Sequence, residues 1–188
     1  MNARNILILF LIMAAATQLL AQEDFSRELA APGNLRFTWI HGSISAKANT
    51  DVRIQVHRYN EHTFILRQNP AIHWEAPFMY LLMGNQQAIL LDAGATEEEE
   101  FFPLRGVIDG ILQSWAHAHR VEIPDLIVMP LGSDQSQTAA LDQFADRLET
   151  NIFAPGSEAR ADVIANQQLD LGGRILSVVP TPGLNASA

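Results

Sequence analysis

The sequence predicts an α/β fold, and three observations carry that prediction. Strand-like runs alternate with helix-like periods from Val52 to Val179, the strands Ala88–Asp92 and Leu126–Met129 are nearly continuously apolar, and an amphipathic helical stripe falls between those two. Strands that are apolar throughout are buried on both faces, so the sheet should lie between helical layers.

Taken in order, residues 1–21 read as an export signal: Arg4 near the start, an apolar run from Ile6 to Ala16, and small Ala21 before a cleavage point at Gln22. That run is too short to span a bilayer. An uncleaved anchoring helix is the alternative. Residues 22–50 read as an N-terminal extension with at most one short strand, Leu35–Ile40. Residues 51–188 then form one α/β domain.

Within that domain Val52–His57 and Thr63–Arg67 alternate with period two around a turn at Asn60-Glu61, giving an antiparallel pair. Phe78–Met83, Gly84-Asn85 and Ala88–Asp92 form a second hairpin, apolar enough to be buried on both faces. Thr96 and Glu99 have the capping-box spacing, which places Glu97–Glu100 at a helix N-terminus, where the macrodipole favours negative charge. The helix runs from Leu104 to His119, with Val107, Ile108, Ile111, Leu112 and Trp115 on one stripe. Strand Leu126–Met129, a helix from Thr138 to about Leu148, and strands Asn151–Ala154 and Arg174–Val179 complete the set.

Composition narrows function. The 188 residues are 48% hydrophobic and 18% charged, as one globular domain requires. Cysteine is absent, so an exported chain must hold its core without disulfides. The formal charge is −9, and −10 once Arg4 leaves with the signal, which argues against nucleic acid or an anionic membrane as partner. The expected localisation is secreted or periplasmic.

Several stretches, in order, resemble the first half of a metallo-β-lactamase-fold hydrolase: Tyr80-Leu81-Leu82 with Ala88–Thr96, Leu126-Ile127-Val128 with the loop after it, Thr138–Arg147, and Val178–Gly183. The resemblance implies a metallo-β-lactamase-like αββα sandwich, here C-terminally truncated. It also implies zinc, since in that family a loop of pattern His-x-His-x-Asp-His after this strand holds the metal.

No histidine occupies the loop Pro130–Gln137. Aligned on Thr138-Ala139-Ala140, the family positions fall on Gly132, Asp134, Ser136 and Gln137. Aligned on Pro130, Asp134 keeps the family aspartate but Pro130, Gly132 and Gln135 replace the histidines. A later family histidine falls on Leu184. Imidazole and carboxylate ligands hold zinc at about 2 Å and make hydroxide available near neutral pH; glycine, leucine and proline offer no donor, and serine or glutamine is a poor one. No metal or other cofactor is therefore expected at the loop.

Other groupings are weaker. His117, His119 and Glu122 sit at a helix C-terminus, where histidine is stabilised by the dipole. His73 precedes Trp74-Glu75 in a loop beside the family site, and Asp92 matches the family's turn aspartate, whose ordinary role is to bond backbone amides of its own turn. Ser133 and Ser136 lack a Gly-x-Ser-x-Gly elbow. Three readings stay open: an exported, non-catalytic protein of this fold that has lost its zinc ligands and acts as a binding module, a divergent hydrolase of the superfamily, or a non-functional remnant. An unfinished sheet would also invite self-association or a partner that completes it.

Overall fold

The computed structural model describes residue 25, residues 33–147 and residues 150–179. The signal segment and the turn leading to Leu184 lie outside the described residues.

Six strands form one mixed sheet: β1 (Ile54–Asn60), β2 (Thr63–Gln68), β3 (Phe78–Met83), β4 (Gln87–Leu91), β5 (Asp125–Met129) and β6 (Thr150–Ile152), in that spatial order. The first four are joined by antiparallel pairings, and β4, β5 and β6 run parallel. The crossover from β4 to β5 is α1 (Leu104–His119). A one-turn helix α2 (Gln135–Thr138), a helix α3 (Glu158–Asn166) and a separate hairpin of β7 (Gln168–Asp170) with β8 (Ile175–Ser177) follow.

The apolar runs are explained by parity. Ala88 and Leu90 of β4 and Leu126 and Val128 of β5 face α1, where Leu104, Ile108, Leu112 and Trp115 join Leu66, Met79, Leu81 and Phe144 in the main core. Ile89 and Ile127 point to the opposite face and meet Leu171, Leu169 and Leu176 of the hairpin. Both strands are thus covered on both sides, as a continuous apolar pattern requires. β3 is different: Phe78 and Tyr80 stay more than a third exposed, so the expectation of two-sided burial fails there.

Helix α1 has the predicted bounds, but its start is not a capping box. Pro103 precedes the first turn without a side-chain cap, and Glu97–Glu100 lie in the loop before it. The Thr96 hydroxyl instead accepts a hydrogen bond from Gln68 Nε2 at 2.7 Å. Fully buried Phe102 pulls this loop into the core, which delays the helix to Leu104.

Two further expectations are corrected. Leu35–Ile40 forms no strand because the Gln55 side chain takes the place of a ladder, accepting from Ile40 N at 2.8 Å and donating to Thr38 O at 3.0 Å. The segment is held by rings instead, with Phe37 stacked on His57 at 4.1 Å and Trp39 edge-on to Phe78 at 4.9 Å. The helix expected over 138–148 is broken into α2 and a 3-10 turn, Leu141–Phe144. Ala140 N is diverted to Ala93 O, Ala139 N is shared between Gln135 O and Gly94 O, and Ala93 N donates to Gln137 O at 2.7 Å. Helix α3 begins at Ser157, whose hydroxyl accepts from Arg160 N. Among the described residues no helix is long and apolar enough to cross a membrane.

Candidate functional site

The loop at the carboxyl ends of β4 and β5 is where an α/β sheet presents its chemistry. Asp92 leaves β4 at φ 65°, a conformation that aspartate tolerates better than most residues. It is buried, its backbone N–H donates to Met129 O at 3.2 Å, and its Oδ1 accepts from Leu131 N at 2.7 Å. Burial raises this carboxyl above its ordinary value of 3.8, opposed by the Leu131 hydrogen bond and by the charge of Arg160.

Arg160, from α3, closes the other side of the loop. Its guanidinium donates to Pro130 O through Nη1 and to Leu131 O through Nη2, the latter at 2.9 Å. Leu131 is thereby gripped through both backbone groups. Further along, a Cβ at Gly132 would overlap the Gln137 carboxamide oxygen, so that side chain fills the space a larger residue would need.

These residues do not fit a zinc ion. The loop supplies one carboxylate, on exposed Asp134, and no imidazole. Asp92 is committed to an amide, and a guanidinium stands where a metal would demand anionic or neutral donors.

The other candidates are placed as follows. His73 lines a cleft of about 490 Å³ together with Thr96, Glu97, Phe101 and Gln135, and its Nδ1 lies 3.9 Å from Glu75 Oε2. Gly132 and Ser133 line a different cleft, about 390 Å³, with Arg160 and Ile164. Ser136 is half-buried on α2. His73 and Asp92 thus sit on separate features rather than in one constellation, and Leu184 falls outside the described residues.

One grouping escapes the sequence reading. His119 separates from His117 and Glu122 and joins Glu61 and His62 at the β1–β2 turn, the donor atoms of the three lying within 4.8 Å of one another. Burial, then the charge of His119, pushes the His62 imidazole down to about 4, with Arg174 and Arg58 adding to that and Glu61 opposing it. Glu61-His62 is a turn dipeptide with no motif around it, so only the packing of α1 on the sheet could reveal the trio.

The Asp92 geometry makes a prediction. A carboxyl raised above 3.8 binds its proton more tightly in the folded state, so its neutral form stabilises at low pH and that contribution is lost as pH rises through the folded value. Asp92→Asn keeps the acceptor for Leu131 and tolerates positive φ. It should match or exceed the parent in urea unfolding at neutral pH, with the advantage shrinking in acid. Asp92→Ala orphans the Leu131 amide and should lose about 1–3 kcal/mol.

Comparison with known proteins adds a likeness in fold. No family model matches the chain, and no curated protein matches it. Among solved structures it is similar to a metallo-β-lactamase from Pontibacter korlensis, with 13% identity over 65% of this chain and 58% of that one and a TM-score of 0.40. It is similar to TMB-1 at 12% identity over 71% and 54%, TM-score 0.38. A third is a metallo-β-lactamase from Erythrobacter litoralis with beta mercaptoethanol in its active site, at 9% identity over 71% and 52%, TM-score 0.38. The chain spans between half and three fifths of the length of these structures. The arrangement of this chain is that of a mixed α/β protein, and its chemistry rests on its own residues.

Proposed function

We propose that this chain is an exported, non-catalytic module of metallo-β-lactamase-like fold, in which the strand-end loop has become a closed protein contact instead of a metal cradle. The observation that carries this is the double grip on Leu131, with Asp92 accepting its N–H and Arg160 donating to its C=O. A loop built to coordinate zinc keeps its donors directed at the ion and oriented by second-shell hydrogen bonds. At the positions where the resemblance would put such donors stand Gly132, Asp134, Ser136 and Gln137, and the buried Asp92 carboxyl serves the backbone.

Under this reading the protein works by binding, and its partners are proteins or small molecules, given its formal charge of −9. The test is zinc uptake by the purified chain together with hydrolysis of a lactam, a thioester and a phosphodiester in added zinc. The reading expects no turnover that depends on Asp134 or Asp92. Zinc-dependent hydrolysis lost in Asp134→Asn would establish a divergent hydrolase instead.

A further inference from the structure

We propose that Glu61, His62 and His119 form a binding site for one divalent cation of the zinc class, at the corner where the β1–β2 turn meets the last turn of α1. The site is remote in chemistry from the strand-end loop and shares no residue with it.

His119 carries the argument. Its side chain is 7% exposed, and its Nδ1 lies 2.7 Å from the Trp115 carbonyl oxygen, which only an N–H can approach. That bond fixes the tautomer and leaves a lone pair on Nε2. Among the described residues Nε2 is buried without a hydrogen-bond partner. An imidazole anchored through one nitrogen on a backbone carbonyl, with the other presented bare, is the arrangement that metal-ligating histidines adopt.

What Nε2 faces is another electron-pair donor, Glu61 Oε1, at 3.5 Å. Two donors each about 2.1 Å from one tetrahedral ion stand about 3.4 Å apart. A cation between them relieves both. The His62 ring is the third member, with its centroid 5.2 Å from that of His119 and one ring nitrogen within the 4.8 Å span of the trio; a neutral imidazole has one lone pair, so ligation through either nitrogen gives up the 3.2 Å hydrogen bond that His62 Nδ1 accepts from Trp115. Two imidazoles and a carboxylate suit zinc, cobalt or nickel better than calcium or magnesium, which prefer oxygen donors.

The surroundings permit loading. Arg58 Nη2 lies 3.8 Å from Glu61 Oε1, but both side chains are more than half exposed, so this contact is weak and the carboxylate can turn to an ion. Arg174 is spent on backbone, donating to His62 O and Met83 O. Three protein ligands leave a fourth position for water, at the rim of an apolar cleft of about 510 Å³ lined by Phe64, Ile111, Trp115 and His119.

Trp115 supplies a local reporter. Its indole N–H donates to His62 Nδ1 at 3.2 Å and its ring stacks on His119 at 4.4 Å. Titrating the full chain with Co²⁺ should give one visible-absorption transition per chain, quenching of the emission that Trp115→Phe removes, and displacement by Zn²⁺. His119→Gln and Glu61→Gln should each weaken the affinity at least tenfold. Glu61 is exposed, so its variant folds even if the His119 variant does not. Absence of Co²⁺ binding to the folded parent would overturn the proposal, leaving Glu61 and His119 as an ordinary side-chain contact. Binding undiminished in Glu61→Gln, or lost instead in Asp134→Asn, would also overturn it. Asp134→Asn reads the strand-end loop separately, so this failure is distinguishable from failure of the functional reading above.

Discussion

Phe102→Ala should be the most damaging single substitution, lowering stability by about 3–5 kcal/mol in urea unfolding with little change in slope. Phe102 is fully buried in the main core. It also lies directly against the 93–95 turn, since a Cβ at Gly94 would come within 2.5 Å of its ring. Gly94 takes φ 71°, and its carbonyl with that of Ala93 accepts the amides of Ala139 and Ala140. Truncating Phe102 therefore opens a cavity and removes the floor of the turn to which the strand-end loop is tied. A loss below about 1 kcal/mol would mean that the turn is held by its backbone ladder alone.

Arg174→Met should follow, at about 2–4 kcal/mol. Its guanidinium donates to His62 O at 2.8 Å, Met83 O at 3.0 Å and Thr63 Oγ1 at 2.9 Å, joining the β7–β8 hairpin to the ends of β2 and β3. It also lies over the Phe25 ring at 5.9 Å, which in turn packs edge-on to His62 at 4.8 Å. Methionine keeps much of the stem but leaves buried acceptors unsatisfied, and bonds from a charged donor are worth more than neutral ones. Proteolysis of the hairpin should accelerate in parallel, since what then ties it to the sheet is the small cluster around Leu171 and the backbone amides of Asn85, Gln86 and Gln87, which donate to Gly172 O and Leu171 O.

What could be read from the chain follows from how local each signal is. Ala88–Leu91 and Leu126–Met129 announce two-sided burial because a strand exposes every residue to one face or the other. The α1 stripe is equally local, and its bounds are legible from Leu104 to His119. By contrast, Thr96–Glu99 has the spacing of a cap, yet Gln68 from β2 claims the threonine. The run 138–148 has helical composition, yet the 93–94 turn takes its amides. Leu35–Ile40 looks like a strand, yet one glutamine side chain satisfies its backbone. Each departure is a distant group outcompeting a local preference.

The candidate site divides in the same way. That the loop Pro130–Gln137 carries no histidine is visible in the residues themselves. That Arg160 grips the loop carbonyls is not, because α3 follows β6 and no motif links the two. The pairing of His119 with Glu61 depends on where α1 ends over the β1–β2 turn, which only the folded sheet determines.

The most direct test of the account is zinc stoichiometry by equilibrium dialysis on the folded parent, Asp92→Asn and Asp134→Asn, measured side by side. The account predicts that all three take up the same amount of zinc, since the strand-end loop contributes no ligand. Loss of about one zinc per chain in either aspartate variant would contradict it and restore a metal centre at the loop.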